Sequence, residues 1–196
     1  MTGTVVFVPR WGGDPTSDWL PWLRAELASA WPQVATTVVG LCPSPGAPAP
    51  APCVAALAVA LAEARRRGPV VLVGHSVGCQ VALRALARHP AGSVAATLLV
   101  APWREVDEPW SSLLPWMEPR LDVRPARPAA GQVSALVSDD DPFTADHEAT
   151  ARWLDEGLGG QVRCVAGARH FNAAQEPEVR AALWALLAGV LPKHER

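Results

Sequence analysis

Apolar runs and helical periodicities alternate along the chain. Val70–Val73 is a short continuous apolar run bounded by Pro69 and Gly74, the pattern of a strand buried on both faces. From Val77 onward, Val77, Val81, Ala82, Ala85 and Leu86 recur at helical spacing, while Arg84 and Arg88 fall on the opposite side. Similar patterns predict strands at Thr4–Val8, Ala35–Val39, Val94–Val100, Val133–Ser138 and Val162–Val165. Helices are expected at Trp19–Trp31, Cys53–Arg67, Ala145–Leu158 and Pro177–Leu191, the last two flanking the final strand. This alternation is that of βα units, so the expected fold is an α/β three-layer sandwich around a mostly parallel sheet of about six strands. At 196 residues, the chain is expected to form one domain over 1–196, without a large lid domain.

Two stretches break the pattern. In 43-PSPGAPAPAP-52 every second or third residue is proline, which predicts an extended surface connection. Residues 102–130 are rich in proline and carry Trp103, Trp110 and Trp116 with little periodicity. A loop leaving the C-terminal end of a parallel strand can border a pocket there, or its tryptophans can seal the core edge. Trp19 and Trp22, spaced i, i+3, read as core residues.

The passage from strand to helix around residue 76 changes the picture most. Gly74-His75-Ser76-Val77-Gly78 occupies a turn of about two residues, in which the glycines allow close backbone approach and the serine is pushed outward in a strained conformation. Its neighbours' unpaired N–H groups sit at a helix N-terminus, where negative charge is favoured. These are the conditions of a nucleophilic hydroxyl, and Ser76 is the candidate nucleophile.

A serine needs a base, and the base an orienting acid. Among the five histidines, His75 is expected to point to the other side of the turn, His89 follows a helix beside Pro90, His147 lies on a helix and His194 is in the tail. His170, in 167-GARHFNA-173 after the last strand, is expected on the same sheet edge as Ser76. The acid is expected after the preceding strand, where 134-SALVSDDDPF-143 ends in three aspartates. Carboxylates this close raise one another's pKa unless partners are supplied. Asp141, before Pro142, is favoured over Asp140 and Asp139, with Asp107 a distant rival; Asp140 or Asp141 could also cap a helix starting near Pro142.

Composition narrows the remaining classes. Hydrophobic content of 49% with a formal net charge of −2 describes a globular protein without electrostatic attraction to nucleic acid or anionic membrane. Arg65-Arg66-Arg67 complements a helix C-terminus, and 54-VAALAVALA-62 is too short to span a bilayer. The start shows no secretion-signal pattern, so a cytoplasmic protein is expected. Cys42, Cys53, Cys79 and Cys164 lack metal-ligand spacing and read as small buried residues of a reducing compartment; no metal or organic cofactor is implied.

The order Ser76, Asp141, His170 is that of an α/β-hydrolase. The chain resembles the small, lid-poor serine hydrolases related to retinoblastoma-binding protein 9 and its bacterial relatives. The likeness runs through 8-VPRWGG-13, 19-WLPWL-23, 74-GHSVGC-79, 99-LVAP-102, 138-SDDDPF-143 and 169-RHFNA-173. It implies a catalytic triad of Ser76, Asp141 and His170 and an oxyanion hole from the N–H groups of Val77 and Trp11. Related proteins usually carry glycine where Arg10 stands, so Arg10 is expected either to alter that loop or to line the pocket and favour an acidic substrate. The expected activity is hydrolysis of a small-molecule ester or amide through an acyl-enzyme. The alternatives are a thioesterase or aminopeptidase-like activity on the same site, or a non-catalytic binding protein on this scaffold. Nothing in the chain specifies a protein partner.

Overall fold

A computed structural model describes residues 2–41 and 49–191. Six strands, β1 (Gly3–Val8), β2 (Val34–Val38), β3 (Val70–His75), β4 (Ala96–Val100), β5 (Gln132–Ser138) and β6 (Gln161–Val165), form one sheet in the order β2-β1-β3-β4-β5-β6. Every neighbouring pair is parallel. The helices are α1 (Leu20–Ala30), α2 (Pro50–Arg65), α3 (Val77–Leu86), the single turn α4 (Leu114–Met117), α5 (His147–Leu158) and α6 (Pro177–Val190).

Strand alternation sorts the core into two layers. Val6, Val8 and Leu72 face α2, α3 and α5, a layer that also holds Trp103 and Trp116. Val5, Phe7, Val71 and Val73 face α1 and α6, with Trp19, Trp31 and Phe171. The strand order reverses between β1 and β3, and the crevice at such a switch point is where an open parallel sheet binds ligands.

The structure departs from the sequence expectations in several places. Helix α2 begins three residues before Cys53, because Pro50 and Pro52 fall in its first turn, where a missing N–H breaks no helical bond. Most of the proline-rich stretch, with Cys42, lies outside the described residues, as does His194. Helix α5 begins at His147 and is capped by Asp146, whose Oδ1 accepts the Ala149 N–H at 2.7 Å; the cap is therefore neither Asp140 nor Asp141. Cys164 is exposed on the edge strand β6 and is not a buried small residue, whereas Cys53 and Cys79 are buried. Between β4 and β5, 3-10 turns at Ser111–Leu113 and Arg124–Ala129 flank α4. No helix among the described residues is long and apolar enough to cross a membrane.

Candidate active site

Strand β3 runs on through Gly74 and His75, and α3 starts at Val77, leaving Ser76 alone at the corner. Its φ of 54° and ψ of −117° are strained for a residue with a Cβ, and its N–H donates to the Val100 carbonyl at 2.9 Å. The flanking glycines are steric requirements. A Cβ on Gly78 would lie 2.0 Å from the Val8 carbonyl oxygen, and one on Gly74 would lie 2.8 Å from that of Gly78. Helix α3 thus rests directly on the end of β1, bringing the Pro9–Trp11 loop against the serine corner. Val77 is the first residue of α3, so its N–H has no acceptor within the helix. Cys79 turns inward, donating to the Gly74 and Val100 carbonyls, and burial pushes its thiol pKa well up, so it stays neutral.

His170 and Asp141 come from the loops after β6 and β5. His170 Nδ1 donates to Asp141 Oδ2 at 2.7 Å, with both side chains buried. Asp141 Oδ1 accepts the Phe143 N–H at 3.0 Å, which fixes the carboxylate plane. The other two aspartates have separate tasks. Asp139 accepts the Gly167 N–H, and Asp140 accepts the Ser138 hydroxyl and the Arg169 N–H, bonds that hold its carboxyl below the usual range. Together they stitch the Asp141 loop to the His170 loop. Asp107 instead accepts the Ala145 N–H.

The His170 loop is itself strained, with positive φ at Arg169 (48°) and Phe171 (52°). Two buried side chains hold its backbone. Trp19 Nε1–H donates to the Phe171 carbonyl at 3.0 Å, and His75 Nε2 lies 2.9 Å from the His170 carbonyl. A carbonyl only accepts, so His75 carries its proton on Nε2. Burial, reinforced by the neighbouring His170, lowers the His75 pKa to about 3, so the ring is neutral. His75 does leave the Ser76 side of the turn, as expected, and it goes to the backbone of the other histidine. Among the described residues, all five non-glycine positions of positive φ (Asp18, Ser76, Ala101, Arg169, Phe171) lie in loops at this one edge of the sheet.

Ser76, Val77 and His170 line one cavity of about 270 Å³. Its apolar wall is Trp11, Trp103, Val106, Trp110, Leu113 and Phe143, and Arg10 and Asn172 supply the remaining polar side chains. Phe143 packs edge-on to the His170 ring at 4.7 Å, and Trp110 packs edge-on to Trp11 at 5.4 Å and to Phe143 at 6.4 Å. The long loop after β4 therefore serves both of its anticipated roles: Trp103 and Trp110 reach the cavity, while Trp116 is fully buried. Arg10 does line the cavity, but its guanidinium grips the Asp18 carboxylate through Nε at 2.7 Å and Nη2 at 3.0 Å, and donates to the Trp11 carbonyl at 3.0 Å. The expectation that Arg10 draws an acidic substrate overlooked this partner. Sequence reasoning also missed Trp19, Phe143 and the anchoring role of His75; their partners are distant in the chain, and no local motif announces them.

Sheet order, serine corner and loop placement define an α/β-hydrolase fold, and the comparisons agree. The chain belongs to the serine hydrolase family, whose model matches residues 5–187. No curated protein matches the sequence significantly. Among solved structures, the ydeN gene product of B. subtilis is 19% identical with a TM-score of 0.78, over 95% of this chain and 100% of that one. One chain from a study of carboxylesterases of the thaumarchaeon Nitrososphaera gargenis is similar at 16% identity and a TM-score of 0.72, over 96% and 91% of the two chains. XC6422 of Xanthomonas campestris, described as an a/b serine hydrolase without lid, is 17% identical with a TM-score of 0.65, over 100% and 86%.

Proposed function

We propose that this protein is a carboxylesterase-like serine hydrolase that cleaves small-molecule esters by a Ser76–His170–Asp141 triad. The observation that carries the reading is the 2.7 Å bond from His170 Nδ1 to a buried Asp141, on an imidazole that shares one cavity with the strained Ser76. That bond leaves Nε2 as the nitrogen able to take the serine proton. In the reaction, Oγ of Ser76 bonds to the ester carbonyl carbon as its proton passes to His170. The tetrahedral oxyanion rests on the N–H groups of Val77 and Trp11, which develop their full strength only against that charge. The carbonyl carbon–alkoxide bond then breaks, and His170 hands the proton to the departing alcohol. Water, deprotonated by the same imidazole, attacks the acyl-enzyme and releases the acid, restoring Ser76. Asp141 orients the ring and stabilises its charged form.

The substrate is a small molecule because the cavity is near the lower end of ligand pockets, which span about 300–1,000 Å³. The exposed free thiol of Cys164 fits a reducing compartment, and we assign the protein to the cytoplasm. The test is labelling by a fluorophosphonate probe together with hydrolysis of p-nitrophenyl butyrate. We expect both in the native protein, neither in Ser76→Ala, and at most trace turnover in Asp141→Asn. Labelling that survives Ser76→Ala would sink the triad, and absence of labelling in the native protein would favour a binding role for the scaffold.

A further inference from the structure

The cavity is apolar, yet an arginine stands in its wall. Among the described residues, Arg10 is the only Arg, Lys, Asp or Glu that lines it, so no described carboxylate faces it. Asp18 does not line the cavity; it sits behind Arg10, its side chain one-tenth exposed, and takes two guanidinium N–H groups in a bidentate grip. Such fork-to-carboxylate geometry neutralises the charge locally and commits Nε–H and one Nη2–H to Asp18, while one Nη1–H goes to the Trp11 carbonyl. Asp18 adopts this place with a φ of 52°, so the backbone is held in an unfavourable region to deliver the carboxylate.

We infer that the Arg10–Asp18 pair is a charge lock that restricts this site to neutral, apolar acyl groups; this rests on the hydrolase reading above. An acidic acyl chain meets a guanidinium whose charge Asp18 already balances from behind, and sits otherwise among the apolar Trp103, Val106, Trp110 and Leu113. A cationic chain, such as that of an aminoacyl ester, meets an arginine at the edge of a wall to which no described residue gives a carboxylate. A neutral chain loses nothing by desolvation and is gripped by the aromatic arc of Trp11, Trp110 and Phe143. Specificity is then a matter of rejecting the charged competitors as much as of holding the neutral one.

The lock has two halves, and breaking each opens the site to a different sign of charge. Asp18→Asn frees the guanidinium, so hydrolysis of mono-p-nitrophenyl succinate relative to p-nitrophenyl butyrate is expected to rise by about tenfold or more in kcat/KM. Arg10→Gln strands the Asp18 carboxylate, so the alanine p-nitrophenyl ester is expected to gain by a similar factor against the butyrate. The double variant Arg10→Gln/Asp18→Asn is expected to return to the neutral preference of the native protein. Equal native turnover of all three esters, or charge preferences unmoved in whichever single variant folds by circular dichroism, would overturn the lock. Native turnover of none of the esters, with Ser76 still labelled by the fluorophosphonate, would overturn it too. Loss of Ser76 labelling in the native protein would instead strike the hydrolase reading itself, so the two failures are told apart.

Discussion

The ring of His75 donates its Nε2 proton to the backbone carbonyl of His170 at 2.9 Å, joining the residue before the candidate nucleophile to the loop of the candidate base. The two rings lie 5.5 Å apart, and Trp19 closes over the other side of His75 at 5.6 Å. A loop with two residues of positive φ stays put only if surrounding groups over-determine it, and His75 with Trp19 does so here.

Removing that donor should loosen His170 without touching the substrate. His75→Phe is expected to lower kcat by about a hundredfold, the scale on which a misplacement of about 1 Å acts, while KM changes little. His75→Asn, which keeps an N–H donor, is expected to recover part of the loss. Steady-state kinetics on p-nitrophenyl butyrate would check both; equal losses in the two variants, or a loss confined to KM, would rule out the positioning role.

The same histidine makes stability depend on pH. Its folded pKa of about 3 lies below the 6.5 of a free imidazole, so between the two the unfolded chain binds a proton that the folded protein refuses. Stability is therefore complete above about pH 6.5 and falls as pH drops toward 3, by up to about 1.4 kcal/mol per pH unit from this one group. Urea unfolding at pH 7, 6, 5 and 4.5 would reveal the slope, and His75→Asn should flatten it.

The serine corner leaves no room for a methyl group at residue 78. Gly78→Ala places a Cβ 2.0 Å from the Val8 carbonyl oxygen and is expected to cost about 3 kcal/mol or more, seen as a Tm drop of roughly 10 °C or as failure to fold. Gly40→Ala, whose added Cβ meets nothing within 4 Å, is the matched control and should shift stability by less than about 0.5 kcal/mol.

Two tryptophans of the loop after β4 should separate cleanly. Trp116 is fully buried, and its carbonyl accepts from Arg84 at 2.6 Å while its ring lies under the same guanidinium, so Trp116→Ala is expected to lose about 3–5 kcal/mol of stability. Trp110 is 40% exposed and walls the cavity, so Trp110→Ala should raise KM for apolar esters with little change in Tm. Thermal denaturation beside ester kinetics distinguishes the two.

The alternation of apolar runs and amphipathic stretches made the strands and most helices legible in the sequence; burial on both faces leaves its mark most plainly in β1, β3 and β4. Ser76 was legible for a similar reason: a strand meeting a helix within two residues demands small neighbours, and Gly74 and Gly78 announce it. What local pattern could not convey were interactions closed by the tertiary fold. The start of α2 was misread because proline in a first turn looks like proline in a coil. Asp146 was overlooked as a cap beside three more conspicuous aspartates, each of which turned out to have donors from another segment. Nothing in the sequence around Asp18, two residues before α1, points to Arg10, and only the folded chain shows the two joined. Cys164 was misplaced because an outer strand exposes positions that a central one would bury.

The contact of Gly78 with the end of β1 has a mechanical corollary. The Trp11 loop and the Ser76 corner are welded into one block, whereas Asp141 and His170 ride on the two outermost strands of the opposite wing, joined to that block mainly through β4 and the His75 and Trp19 struts. Warming should let that wing swing before the central strands part, so turnover is expected to fade at a temperature several degrees below the one at which the sheet melts.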